Sequence, residues 1–378
     1  MSRLRIGVLF GGRSTEHEVS ILSAQSIIAA MDPQRFEPVP LYIDKTGRWL
    51  VGGSLTRLVS DDASRKYVYL PPDPTQRSLV PALHGGQSGD GRGGGLPPLD
   101  VVFPVFHGLN GEDGTIQGVL ELANLPYVGA GVLGSALGLD KIYMKRAFAA
   151  AGLPIVDYLA ITRRQYEQDP NAFVAFVEER LGYPCFSKFA NSGSSVGTTK
   201  AHNRAELVAG LRLAAGFDRK LLVERGVDAR ELEVSLLGND EPQASVVGEV
   251  VPAHEFYDYD AKYLDEGSRL LIPAALDAGV ADEVRAMAVR AFQAVDAAGM
   301  ARVDFFMERK TGRVVVNELN TIPGFTRISM YPKLWEASGL SYPKLIERLV
   351  DLAIERHDDK QRSQTAIDTK LLESGTNR

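Results

Sequence analysis

The sequence predicts a multidomain α/β protein, and three observations carry that expectation. A buried apolar run at Leu4–Phe10, a helical stretch from Glu16 to Met31, and strand-like runs at Val39–Ile43 and Asp100–Phe106 alternate as in a parallel α/β layer. The chain has 378 residues, against about 100–200 per domain, which gives two or three domains. Its 44% hydrophobic and 24% charged residues are the balance of a protein that buries ordinary cores.

Composition excludes several function classes. Lys plus Arg number 42 and Asp plus Glu 48, a net charge of −6. General nucleic-acid binding would need a basic surface, so none is expected. A local basic pocket for phosphates remains compatible with that balance. A single cysteine, Cys185, leaves no internal disulfide and no multi-cysteine metal site, and fits a reducing compartment. No run approaches the roughly 18 apolar residues of a membrane span. Ile6–Phe10 is too short for a signal-peptide core and runs into Gly11-Gly12 without a cleavage site. A cytoplasmic protein is the expectation.

In chain order, Leu4–Phe10 reads as the first strand, Gly11–Ser14 as a turn, and Glu16–Met31 as a helix with Val19, Leu22, Ile27 and Ile28 at helical spacing. Ser60–Pro98 is rich in Pro and Gly, with the low-complexity run Gly85–Gly95, so 44–98 reads as a surface insertion with a mobile loop. Ile116–Leu122 is a short helix and Pro126–Val128 a strand end. Asp140–Ala151 is a helix that stops at Gly152-Leu153-Pro154. A second unit follows, with helices at Asn171–Leu181 and Ala205–Ala215 and strands at Cys185–Phe189 and Leu221–Glu224. The third has strands at Glu231–Leu237, Ser245–Val251, 302–307 and 313–319, with helices at Ala281–Ala298 and Tyr342–Glu355; Arg356–Arg378 reads as a frayed tail. The expected division is 1–140, 141–228 and 229–355, with 356–378 as the tail.

Three pattern matches carry little. Gly129-Ala-Gly131-Val-Leu-Gly134 fits a dinucleotide fingerprint, but it does not open a first βαβ unit and reads as a turn. Gly193-Ser-Ser195-Val-Gly197 fits a nucleophile elbow, yet Val196–Thr199 is a poor helix start. The six His residues form no HExxH pair, and no P-loop occurs. The same glycine-rich stretch has a different use. Asn191–Gly197, beyond a strand ending near Lys188, offers small residues whose N–H groups can approach phosphates. Lys188 and Lys141 would add point charges. A solvated hairpin tip is the competing reading.

The strongest local pattern lies at Arg302–Asn320. Two β-rich runs flank Lys310-Thr-Gly312 as a hairpin. Because residues two apart share a face, Arg302, Asp304 and Phe306 face one way, as do Val316, Glu318 and Asn320. Pairing Met307 with Arg313 would place both sets on one face, leaving Val303, Phe305, Val315 and Leu319 for a core. Asp304, Glu318 and Asn320 are then hard oxygen donors suited to Mg²⁺ or Mn²⁺. A plain charged face with an Arg302–Asp304 pair explains Asn320 poorly, since Asn is disfavoured in strands. Glu224 and Glu231 bracket a turn, either as an adenine or ribose clamp or as a solvated loop. His254–Gly267 sets four aromatics among charges without a period, as in a lid that shields a site.

Together, Gly11-Gly12-Arg-Ser-Thr-Glu16-His-Glu-Val-Ser20, His107–Gly114, Gly193–Gly197, Tyr257-Asp-Tyr-Asp-Ala-Lys262-Tyr263 and Asn317-Glu318-Leu-Asn320-Thr-Ile-Pro-Gly324-Phe-Thr make the chain resemble the D-alanine–D-alanine ligase family, from about residue 4 to 355. The resemblance implies a three-domain ATP-grasp fold and ATP-dependent joining of two D-alanines through a D-alanyl phosphate, for peptidoglycan precursors. It implies Asp304, Glu318 and Asn320 as ligands of two Mg²⁺ (or Mn²⁺), and Lys141, Lys188 and Lys262 on ATP phosphates. Ser194, Ser195, Glu224, Arg225, Val227, Glu231 and Asn317 complete the implied ATP site. Arg225 stands where some members carry Lys. Glu16 would hold the first D-alanine's ammonium beside His107. Arg302 and the Gly324 N–H would stabilise the oxyanion, and Ser329 and Met330 would receive the second D-alanine. Thr326–Met330 differs in detail from compact members. Glu16, Ser194 and Tyr263 would tie the lid to the first subsite. A homodimer is also implied. The nearest rival is a D-alanine–D-lactate ligase, against which Asp260-Ala-Lys-Tyr263 argues. A non-catalytic nucleotide-binding protein is the rival from another class.

Overall fold

The computed structural model describes residues 3–60, 65–82, 96–191, 193, 197–251 and 269–364. Among these residues three sheets form. The first starts with β1 (Leu4–Gly11), buried from Ile6 onward, between parallel neighbours β2 (Phe36–Ile43) and β6 (Val101–Pro104). Parallel neighbours need a crossover, and α1 (His17–Ala30) supplies the one from β1 to β2. Gly11 sits at φ +91°, where a Cβ would lie 2.3 Å from the Ile43 carbonyl oxygen, so the turn after β1 requires glycine.

Where it is described, the segment 44–98, expected as a surface insertion, is built into the first sheet. β3 (Trp49–Val51), β4 (Lys66–Tyr69) and β5 (Val80–Pro81) extend the sheet as antiparallel strands, in the order β5-β4-β3-β2-β1-β6, with α2 (Leu55–Val59) between β3 and β4. The reason is apolar burial: Leu50, Val51, Leu55, Leu58, Val68, Leu70 and Leu79 are all buried. The strands are short and interrupted by Pro, which hides their period. Gly85–Gly95 lies outside the described residues.

After α3 (Thr115–Leu122), Gly129–Gly134 is more than a turn, because it opens α4 (Val132–Leu139). Its glycines serve close backbone packing. A Cβ on Gly134 would lie 2.3 Å from the Asp296 carbonyl oxygen, and one on Gly299 3.0 Å from the Gly129 nitrogen.

α5 (Lys141–Ala150) leads into the second sheet. β7 (Tyr158–Thr162), α6 (Arg163–Gln168), α7 (Pro170–Arg180), β8 (Cys185–Phe189), β9 (Thr199–Ala201), α8 (Arg204–Phe217) and β10 (Lys220–Arg225) follow. The strand order is β7-β10-β8-β9, antiparallel throughout. Cys185 is buried, and burial followed by Glu178 pushes its thiol up to about 11, so it is an unreactive core side chain.

The third sheet contains β11 (Ala229–Gly238), β12 (Gln243–Ala244), β13 (Gly248–Val251), β14 (Arg269–Leu271), β15 (Gly299–Glu308) and β16 (Val314–Asn320). Its order is β14-β13-β11-β15-β16, with β12 on β11. α9 (Ala278–Ala294) covers one face through Val284, Met287, Ala288, Ala291 and Phe292. α10 (Met330–Ala337) and α11 (Tyr342–Gln361) complete the chain's described elements. The tail does not fray at Arg356. The helix runs on to Gln361, and Arg356 donates to the carbonyls of Gly129 and Tyr127 while its guanidinium lies 4.4 Å from the Tyr127 ring.

Candidate active site

The hairpin of β15 and β16 forms, in a register different from the expected one. Met307 pairs with Val314, not Arg313, and the register shifts between Asp304 and Phe305. Phe305 then faces Val316 while Asp304 faces Glu318, so Asn317 is an extra residue on β16. Side chains alternate with a period of two, and one extra residue flips everything beyond it. Val316 therefore joins Val303, Phe305, Val314 and Leu319 in the core, whereas Val315 stands outside that cluster, opposite Phe306. Glu318 and Asn320 are turned to the face of Asp304.

On that face the Arg302 guanidinium donates twice to Asp304, at 2.7 Å each, and lies 3.0 Å from Glu233. Glu233 is directly opposite Asp304 on β11, so Glu233, Asp304 and Glu318 form a row across three strands. The Asn320 amide donates to Asp304 at 3.1 Å. No group of three His, Cys, Asp or Glu residues able to hold a metal occurs among the described residues. The oxygen donors of Asp304, Glu318 and Asn320 would suit a hard divalent cation, with water and phosphate as its remaining ligands. All three are half-buried, which leaves room for such ligands.

The lysines converge on the same place. Asp140 caps α5, accepting from the Ile142 and Tyr143 N–H groups, and so starts the helix that aims Lys141 and Lys145 one turn apart. Lys141 lies 2.9 Å from Glu318. Lys188 and Glu224 share one face of the central sheet, because Lys188 pairs with Leu222, two residues before Glu224. Their charged atoms are 2.5 Å apart. Burial works against the Lys188 ammonium, but Glu224 and then Glu318 outweigh it and raise its pKa. Burial also opposes the Glu224 carboxylate, yet Lys145 and Lys188 bring it down to about 2. Glu224 is thus a buried counter-charge to two lysines.

A second cluster joins the N-terminal sheet to the loop after β16. His107 is buried, and its Nδ1–H donates to the Ile322 carbonyl at 3.0 Å. Burial holds its pKa below the usual histidine value, with Glu16 opposing. Glu112 accepts from the Gly108 N–H at 2.8 Å and the Ile322 N–H at 2.9 Å. Both backbone groups of Ile322 are therefore held by the 107–112 loop. Burial, with Glu16 beside it, pushes Glu112 up to about 8. Glu16 itself is buried, and a Cβ on Gly193 would lie 2.5 Å from its carboxylate, so these two residues meet. A cavity of about 290 Å³ opens beside His107, lined by Gly12, Ser14, Phe106 and Asn110. A larger one of about 900 Å³, along α11, shares none of these residues. Gly324 and Ser329 are adjacent, a Cβ on the former meeting the Ser329 hydroxyl at 3.1 Å, and Ser329 accepts from the Thr326 N–H.

Other residues stand apart. Arg225 is exposed, 3.2 Å from Asp157, and Val227 is half-buried in the turn before β11. Glu231 lies opposite Phe306. The Met330 side chain is buried, packed with Val250 and Leu334. Ser194, Ser195, Lys262 and Tyr263, with the His254–Gly267 stretch, lie outside the described residues. Lys145, Glu112 and Glu233 escape sequence reading. Each carried a signal: Lys145 is four residues from Lys141, Glu233 two from Glu231, and Glu112 sits within the His107–Gly114 run.

Residues 5–130 match the profile of the D-ala D-ala ligase N-terminus, and residues 147–351 that of the D-ala D-ala ligase C-terminus. The chain belongs to the D-alanine–D-alanine ligase family. A D-alanine–D-alanine ligase from Heliobacterium modesticaldum is 52% identical over 97% of this chain and 98% of its own length. One from a Thermoanaerobacter species is 51% identical over 96% and 99%. Among solved structures, the D-alanine–D-alanine ligase of Coxiella burnetii superposes with a TM-score of 0.81 at 34% identity, covering 96% of this chain and 97% of that one. VanG D-Ala:D-Ser ligase from Enterococcus faecalis gives 0.82 at 33%, covering 93% and 100%. These neighbours have the ATP-grasp fold, as the family resemblance implies.

Proposed function

We propose that the protein joins two D-alanines at the expense of ATP, in the supply of peptidoglycan precursors, with a division of labour near residues 140 and 228. The near-full-length identity of about half to D-alanine–D-alanine ligases carries this reading. The site geometry supports it with a carboxylate row, lysines at its edge, and a buried Glu16–His107 corner. One D-alanine, its ammonium on Glu16, attacks the γ-phosphate through its carboxylate and releases ADP. The amine of the second, its carboxylate at Ser329, then attacks the acyl phosphate carbonyl and expels phosphate. Arg302, fixed in plane by Asp304 and Glu233, and the Gly324 N–H face the developing oxyanion, where preorganised donors act most strongly. Lys141, Lys188 and Lys262 take the phosphates, and Glu231 the ribose. Asp304, Glu318 and Asn320 would hold Mg²⁺ or Mn²⁺, which neutralises phosphate charge when bound. By the family resemblance, Tyr263 and Ser194 would act with Glu16 at the first subsite. The work belongs to the cytoplasm, where ATP is supplied.

The test is phosphate release from ATP and Mg²⁺ with D-alanine alone, with D-alanine plus D-lactate or D-serine, and with L-alanine, the product being weighed. Release with D-alanine alone and a dipeptide product is expected. Release only with D-lactate or D-serine present would move the chain to a mixed-product ligase. Nucleotide binding without release would make it non-catalytic.

A further inference from the structure

Lys145 is the most deeply buried charged side chain around the site, with 1% of it exposed. A lysine in such a place is costly unless it is paired and hydrogen-bonded. Three elements meet its ammonium. Glu224 of β10 lies 2.8 Å away, the Asn317 carbonyl of β16 accepts from it at 3.2 Å, and the Tyr158 ring of β7 lies beneath it at 5.9 Å. Glu224 uses its other oxygen for Lys188, and Asn317 is the extra residue that turns Glu318 toward Asp304.

The surroundings of α5 explain how one helix reaches both. Ile142 belongs to the cluster with Ala190, Leu222 and Tyr158 on the central sheet, while Met144 and Phe148 belong to the core of the third sheet. Lys145 therefore stands at the seam, three residues from Ile142 on the side that faces the central strands. Glu224 and the Asn317 carbonyl hold its ammonium from two sides, which places it behind the residues that face the site.

We propose that Lys145 is a positioning residue that couples the nucleotide's phosphate site to its metal site. Through Glu224 it fixes where Lys188 points, and through the Asn317 carbonyl it fixes the bulge that presents Glu318. Without it, Glu224 turns wholly to Lys188 and draws that ammonium from the phosphates, while the bulge loses its anchor. The inference rests on the ligase reading above, and it concerns ATP and Mg²⁺ rather than D-alanine.

The experiment compares full-length wild type, Lys145→Met, Glu224→Gln and the double variant. It measures binding of a non-hydrolysable ATP analogue with Mg²⁺ by calorimetry, and KM for ATP and for D-alanine separately. Lys145→Met should weaken analogue binding and raise KM for ATP by about tenfold, the scale of a lost charge-assisted bond. The Mg²⁺ midpoint should rise, with KM for D-alanine unchanged. The double variant should be no weaker than the worse single one, since both act through one path. A folded Lys145→Met enzyme whose analogue affinity stays within about twofold overturns the proposal, as does an equal loss for ATP and D-alanine. Should the Met variant not fold, Lys145→Gln keeps a donor without charge and is read against the same outcomes. Absence of D-alanine-dependent turnover in the wild type would count against the ligase reading instead.

Discussion

Asp304 faces Glu318 across the hairpin because Asn317 is one residue more than β15 can pair. In an unbroken ladder Asp304 would face Asn317, and Glu318 would point into the core. The two carboxylates that the resemblance assigns to metal thus owe their proximity to a bulge. Replacing either, by Asp304→Asn or Glu318→Gln, should cut phosphate release by about 10²-fold or more. Far-UV circular dichroism should stay unchanged. Wild-type turnover in a folded variant would remove these residues from the metal set.

Glu112 gives the fold a pH dependence of known sign. Its pKa is about 8 in the fold against 4.5 ordinarily, with burial the main cause. Between about pH 4.5 and pH 8 the folded chain keeps a proton that the unfolded chain has released, so stability falls as pH rises through that window. Wild-type Tm should therefore decline relative to Glu112→Gln from about pH 5 to about pH 8. A constant difference between the two proteins would refute the assignment.

Asp140 starts α5 and also pairs with Lys220. Asp140→Ala should cost about 1–2 kcal/mol in urea unfolding, the usual worth of a cap. Because the helix carries Lys141, KM for ATP should rise as well. Unaltered stability and KM together would mean that the cap is dispensable.

Two glycines should respond in opposite directions. Gly134→Ala puts a Cβ 2.3 Å from the Asp296 carbonyl oxygen, backbone that cannot swing aside, and should cost about 1–3 kcal/mol or more. Gly118, in α3, has nothing within 4 Å of its Cβ position. Gly118→Ala should stabilise by about 0.5–1 kcal/mol from helix propensity. Thermal unfolding of the two variants decides both; equal shifts would contradict the packing described.

Much of the fold was legible where a pattern is local. The Cys185–Phe189 strand, α5 with its Asp140 start, and the β15–β16 hairpin follow from apolar period and caps. β4 and β5 were not, because strands of a few residues among prolines have no period to read. The continuation of α11 past Arg356 was hidden for another reason. Its Arg356 is held by the distant carbonyls of Tyr127 and Gly129, which no local pattern announces.

The same division runs through the site. Residue identity was enough to nominate Asp304, Glu318, Asn320, Lys141 and Lys188, because hard donors, ammonium groups and glycine-rich turns imply their chemistry wherever they fold; Glu16 and His107 were nominated by the family resemblance. Their partners could not be nominated. Lys145, Glu112 and Glu233 are ordinary charged residues in sequence, and each acquires its role by being buried against an element tens to hundreds of residues away. Register has the same origin. Whether Glu318 faces Asp304 or the core depends on one extra residue in a ladder, and core packing of Phe305 against Val316 decides where that residue falls. Sequence alone determined which chemistry the chain carries; tertiary packing decided which charges meet, because burial, pairing and strand register are properties of contacts between distant segments.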